Sequence, residues 1–149
     1  MKKIILLTLS LILAACTAAS TPSEFEKNQG LWNDANISHY RYTLSLSCFC
    51  AFMDDMPLTV EVQNDKIVSI TSGKGAVIDS TNPSYEIFQN YIPMENLFAQ
   101  LKSALEEADE VTVGYDATYG FPTSIAIDQV KEATDDELWI TVENFEVLN

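Results

Sequence analysis

From Tyr40 to Ser47 apolar and polar residues alternate without a break, Tyr40, Tyr42, Leu44 and Leu46 against Arg41, Thr43, Ser45 and Ser47. Successive side chains of an extended chain point to opposite faces, so this stretch is a strand with one face buried and one wet. A helix cannot use the pattern, because its apolar stripe recurs at three and four residues. The alternation returns in Leu58, Val60 and Val62 against Thr59 and Glu61. Asn64 and Asp65 then supply turn chemistry ahead of Lys66 to Thr71, which predicts a hairpin.

Two stretches carry the other period. Ser23 followed by Glu26 is a capping-box pattern, and Phe25, Leu31 and Trp32 fit one helical face, which predicts a short helix from about Glu24 to Asp34 with Gly30 inside it. After Pro93, the residues Met94, Leu97, Phe98, Leu101, Ala104, Leu105 and Ala108 recur at helical spacing and read as a core-packing stripe. Between the first hairpin and this helix, Gly73 to Asn90 mixes turn formers with scattered apolar residues and reads as a long connection, a kind of segment that is often functional. Glu110 to Tyr115 and Thr123 to Asp128, joined by the Ala117 to Pro122 turn, form a second hairpin. Leu138 to Phe145, apolar on both faces, adds a further strand. The order αβββαβββ specifies an α+β fold, an antiparallel sheet of about six strands with two helices packed on one face, and its two halves are candidate structural echoes.

The charge balance narrows the partners. With 8 Lys and Arg against 22 Asp and Glu in 149 residues, the formal charge is -14, and the clustered basic side chains that phosphate binding needs are missing. Nucleic acid is excluded as a partner. A hydrophobic fraction of 47% is too high for a disordered acidic tail, so the carboxylates must coat a folded core.

The N-terminus reads as an address. Lys2 and Lys3 precede the apolar run Ile4 to Leu13, which is shorter than the roughly 20 residues a membrane-spanning helix requires and reads as a secretion signal. The run closes on Leu13, Ala14, Ala15 and Cys16, which resembles the lipobox of bacterial lipoprotein precursors. That resemblance implies a signal peptide over 1–15, cleavage before Cys16, and lipid on the Cys16 thiol and amine. Several acyl chains hold firmly where one binds marginally, each buried CH₂ contributing ~0.8 kcal/mol. Residues 16–22 read as a flexible tether, and 23–149 as one domain. Without Lys2 and Lys3 the mature chain keeps 6 of its 8 basic residues against 22 acidic ones, a formal charge of -16, so anionic head groups repel the body. Thr17 stands where an aspartate usually retains a lipoprotein at the inner membrane. In a diderm cell this points to the outer membrane, facing the periplasm; otherwise the protein belongs on the outer face of the cell membrane.

The mature chain offers few chemical groups. Cys48 and Cys50 flank Phe49, and in a regular strand their Cβ atoms would lie ~7 Å apart, so a disulfide between them must bend the chain and end the strand. The pair reads either as a local staple or as a strained redox pair. The staple is expected, because acidic surroundings raise a thiol pKa. His39, the single histidine, stands nine residues from Cys48, about 30 Å along an extended strand, and reads as the residue that opens the strand. Gly73, Lys74 and Gly75 lack the spacing of a phosphate loop. Asp128, Asp135, Asp136 and Glu137 are candidate Ca²⁺ ligands at one end of the last hairpin, though a solvated acidic loop is the expectation. Tyr115, Tyr119, Phe121 and Trp139 are the aromatic residues able to form a platform for a glycan or peptide, with Tyr115 and Trp139 expected in the sheet core.

Trp32 to Tyr42, Cys48 to Cys50, Leu58 to Ile67 and Tyr115 to Asp136, with Tyr-Asp-x-x-Tyr-Gly-Phe-Pro-Thr the sharpest motif, resemble a bacterial lipoprotein family catalogued only as a domain of unknown function. The resemblance implies no activity and no cofactor. Physically the motif builds a rigid tip: Gly120 takes φ > 0, Pro122 fixes the strand start, and Asp116 accepts backbone N–H bonds. The expectation is a lipid-anchored, non-catalytic envelope protein that needs no cofactor. It would touch the membrane through its lipid and bind an envelope protein or glycan through Gly73 to Asn90 or through Tyr119, Phe121 and Asp116. The alternative is thiol-disulfide or Ca-dependent activity at Cys48 and Cys50 or at Asp128 to Glu137.

Overall fold

The computed structural model describes residues 23–149. The expected signal peptide, Cys16 and the tether lie outside the described residues. Helix α1, Glu24–Ala35, begins with the predicted capping box: the Ser23 hydroxyl accepts the Glu26 N–H at 3.2 Å, and the Glu26 carboxylate accepts the Ser23 N–H at 2.8 Å. Those bonds hold the Glu26 carboxyl below its ordinary range. Asn36, in the left-handed region at φ 48°, ends the helix.

The strands are β1 (His39–Ser47), β2 (Leu58–Gln63) and β3 (Lys66–Ser72), then β4 (Glu110–Tyr115), β5 (Pro122–Asp128) and β6 (Glu137–Val147). Between the two sets lie α2 (Tyr85–Gln89) and α3 (Met94–Glu107). The fold is α+β, built on a six-stranded antiparallel sheet of order β3-β2-β1-β6-β5-β4. The element order departs from αβββαβββ by the short helix α2 and by a 3₁₀ turn at Met53–Asp55.

The two halves are not echoes. The first runs from the sheet centre to one edge, the second from the other edge back to the centre, and they meet where β1 pairs with β6. The α2 and α3 segment therefore carries the chain from edge strand β3 to the opposite edge strand β4.

One face of the sheet is the core. Tyr40, Tyr42, Leu44 and Leu46 are all buried, and register sets Tyr42 beside Val60 and Leu44 between Leu58 and Val142. Trp32 of α1 and Leu97, Phe98 and Leu101 of α3 join the same cluster. Each such side chain contributes ~1.5–3 kcal/mol on burial. The odd-numbered residues of β1 and β2 point to the other face, where they are exposed or half-buried. Leu31 and Leu105, expected on the buried stripes, are instead partly exposed, because each sits at the margin of its helix's packed face.

The long connection is pinned down. Ile78 and Phe88 are buried, the Ile78 N–H donates to the Ile70 carbonyl at 2.9 Å, and Phe88 meets Phe52 edge-on with ring centroids 5.3 Å apart. Those anchors fix two points of Gly73 to Asn90, whose other residues are exposed or half-buried. Among the described residues no helix is long and apolar enough to cross a membrane.

Candidate functional site

Cys48 and Cys50 are joined by a disulfide that closes a three-residue ring. Their Cα atoms are 5.2 Å apart, shorter than the ~6.6 Å of two strand steps, and the Cys50 N–H donates to the Cys48 carbonyl at 2.9 Å. The chain therefore bends at Phe49 and β1 stops at Ser47. Both cysteines pack against the core while Phe49 is 88% exposed. His39 opens β1, with Nε2 2.9 Å from the Glu61 carboxylate, far from the ring at the strand's other end.

The hairpin tip has the expected mechanics. Asp116 Oδ1 accepts the N–H groups of Thr118 at 2.9 Å and Tyr119 at 2.6 Å, and Gly120 has φ 76°. The three residues expected to form a surface there are not equally open: Asp116 and Tyr119 are half-buried and Phe121 is buried. Phe121 is 3% exposed and meets Trp32 and Phe145, Tyr119 leans on Phe145, and Asp116 spends an oxygen on the turn. The cause is the close approach of α1: a Cβ on Gly120 would strike the Asn28 carbonyl oxygen, so the tip is clamped to that helix.

Trp139 takes the opposite course. It was expected in the sheet core, yet it is 49% exposed on the other face, beside Ser47 of β1 and Ala126 of β5. Tyr115 is only half-buried, and burial together with Glu24 raises its hydroxyl pKa.

Register, not loop proximity, organises the acidic residues. Glu110, Asp128 and Glu137 stand in one row across β4, β5 and β6. Desolvation and then the charges of Asp136, Glu137, Glu110 and Asp109 raise the Asp128 carboxyl pKa. Of the candidate Ca²⁺ ligands, Asp136 is turned to the Val130 N–H at 2.8 Å and Asp135 is exposed at φ 68°. Among the described residues no group of three or more His, Cys, Asp or Glu is placed to hold a metal ion.

A sizeable concavity was not foreseen from the sequence. It is a groove of about 640 Å³ along β4, between the start of α1 and the end of α3. Phe25, Leu105, Val111, Val113 and Tyr115 form its apolar floor; Glu24, Glu26 and Glu106 stand on its rim with Lys102. Edge strand β4 is open beside it: among the described residues, backbone hydrogen bonds reach Glu110 to Tyr115 only from β5. The other edge is treated differently. There the chain after β3 returns to bridge Thr71 with Val77, and Ser72 N–H donates to the Ala76 carbonyl at 2.8 Å. The one sequence signal for the groove is Leu105, an apolar residue at the end of a helix stripe whose neighbours Glu106 and Glu107 are charged.

The chain belongs to DUF6174, a family of unknown function, whose pattern matches residues 24–147. No curated protein and no solved structure matches it.

Proposed function

We propose that this is a lipid-anchored, non-catalytic protein of the bacterial cell envelope that binds another envelope component. The observation that carries the binding function is the groove along β4, where an apolar floor lies beside an edge strand whose outer side is unpaired among the described residues. Such an edge is a template for another chain, and natural proteins usually cover or blunt it. The anchor rests on the sequence Leu13-Ala14-Ala15-Cys16, and the disulfide at Cys48 and Cys50 supports an oxidising compartment. The acyl chains hold the protein at the outer membrane in a diderm cell, or at the outer face of the cell membrane otherwise, and its negative charge keeps the body off the lipid surface.

Two measurements test this reading. The intact mass of protein extracted from membranes should correspond to a chain beginning at Cys16 plus lipid, and an unmodified chain would remove the anchor. Photo-crosslinkers placed at Leu105 and at Thr112 should join the protein to another envelope component in living cells. Absence of any adduct from either position would remove the binding function from this edge.

A further inference from the structure

We propose that the β4 edge takes up an extended, basic peptide segment of a partner protein as a seventh strand. The inference rests on the reading of the protein as a binding module and names its ligand class.

The edge supplies the affinity. Along Glu110 to Tyr115 every second residue turns its backbone N–H and C=O outward, away from β5, as pairing with an added strand requires. An added strand would send alternate side chains to the two faces of the sheet. On the core side they would meet Val113, Phe25 and Leu105, the last 46% exposed, so that face selects apolar residues. On the open side they would stand beside Thr112 and the row of Glu110, Asp128 and Glu137.

Charge selects the partner. The groove rim carries Glu24, Glu26 and Glu106 against Lys102, and on the other side of the strand Lys131 pairs with Glu110 at 3.1 Å. Desolvation first, and then the charges of Asp136, Glu137, Glu110 and Asp109, favour protonation of Asp128 in that row. A ligand strand with Lys or Arg at the outward positions relieves that repulsion. A second copy of this acidic chain would add to it, which disfavours pairing of β4 with its own twin.

The chain purified from membranes in detergent can be titrated with two acetylated hexapeptides, one alternating Lys and Val, the other Glu and Val. Hydrogen exchange of the β4 amides is followed throughout. The basic peptide should bind saturably and slow exchange over Glu110 to Tyr115 by about tenfold or more, while the acidic peptide leaves it unchanged. Glu106→Lys and, separately, Leu105→Ser should each weaken the basic peptide by roughly tenfold, with melting of the free protein unchanged. Several outcomes would overturn the proposal: no slowing at millimolar peptide, equal slowing by both peptides, or protection that rises with protein concentration alone, the mark of a second copy. If the peptide fails while the in-cell crosslinks persist, strand addition falls and the binding function stands.

Discussion

The phenolic oxygen of Tyr40 lies 3.0 Å from the backbone nitrogen of Met94 and accepts its N–H inside the core. Met94 is the first residue of α3, and Pro93 before it has no side chain able to cap the helix, so a tyrosine from the central strand does so across 54 residues of sequence. Its neighbour Tyr42 is stacked on it with ring centroids 6.0 Å apart, and the Tyr42 hydroxyl is buried with no partner among the described residues. Burial raises both phenol pKa values.

The two tyrosines should therefore respond oppositely to loss of the hydroxyl. Tyr40→Phe strands a buried donor and should cost about 1–3 kcal/mol, whereas Tyr42→Phe removes an unsatisfied group and should be neutral or stabilising by up to about 1 kcal/mol. Urea denaturation midpoints of the two variants decide this; equal losses would show that Tyr42 has a partner.

Two glycines make a second contrast. At Gly120 a Cβ would meet the Asn28 carbonyl and stand 2.8 Å from the Leu31 Cβ, on a backbone at φ 76°. Gly120→Ala should destabilise by about 3 kcal/mol or more, combining left-handed strain with overpacking. Gly30, inside α1, has nothing within 4 Å of its Cβ position. Gly30→Ala should stabilise by about 0.5–1 kcal/mol in the same assay.

The three-residue ring at Cys48 and Cys50 encloses almost no chain. Thiol mapping of the native protein should find neither Cys48 nor Cys50 free. Cys48→Ser with Cys50→Ser should lower stability by no more than about 1–2 kcal/mol, since little entropy is removed from so short a loop in the unfolded state. Two titratable thiols, or a much larger loss, would count against a local staple.

Asp128 gives a pH signature. Its carboxyl is raised above the ordinary value of 3.8 by desolvation and then by neighbouring carboxylates, so the folded state holds its proton more tightly than the unfolded state. Stability should fall as pH rises from 3.8 through the folded-state value, and the cost persists at neutral pH. Asp128→Asn should therefore raise the melting temperature at pH 7 and lose that advantage at pH 3. Glu26, shifted downward by the capping box, has the opposite sign: its contribution is present above 4.5 and is lost as pH falls below it. Glu26→Gln should therefore lower the melting temperature at pH 7, and the difference should shrink as the pH falls below 4.5.

Strands β1, β2 and β4 were legible because each carries the two-residue period, and α3 because its stripe runs along a helix of 14 residues. Helix α2 was not, since five residues cannot establish a period. Trp139 had the information in its parity: it alternates with Leu138 and Ile140 and shares a face with Thr141, and an expectation about aromatic burial overrode that. The apparent two-faced character of β6 has a physical cause. Its pairing with β1 shifts between Arg41 and Thr43, where Asn144 sits at φ 51°, so Val142 before the shift and Phe145 after it both turn inward. What local pattern cannot encode is which strands become neighbours. The β1 with β6 seam, the open β4 edge and the groove beside it all follow from that long-range choice.

The first and last strands share that seam, with Tyr40 opposite Val147, and it alone joins the two halves of the sheet. A chain delivered from its N-terminus thus holds half a sheet with an unmated inner strand until the final 11-residue strand arrives. On synthesis from the N-terminal side the sheet cannot lock before its C-terminal strand is delivered, so the two halves close on each other in one late step.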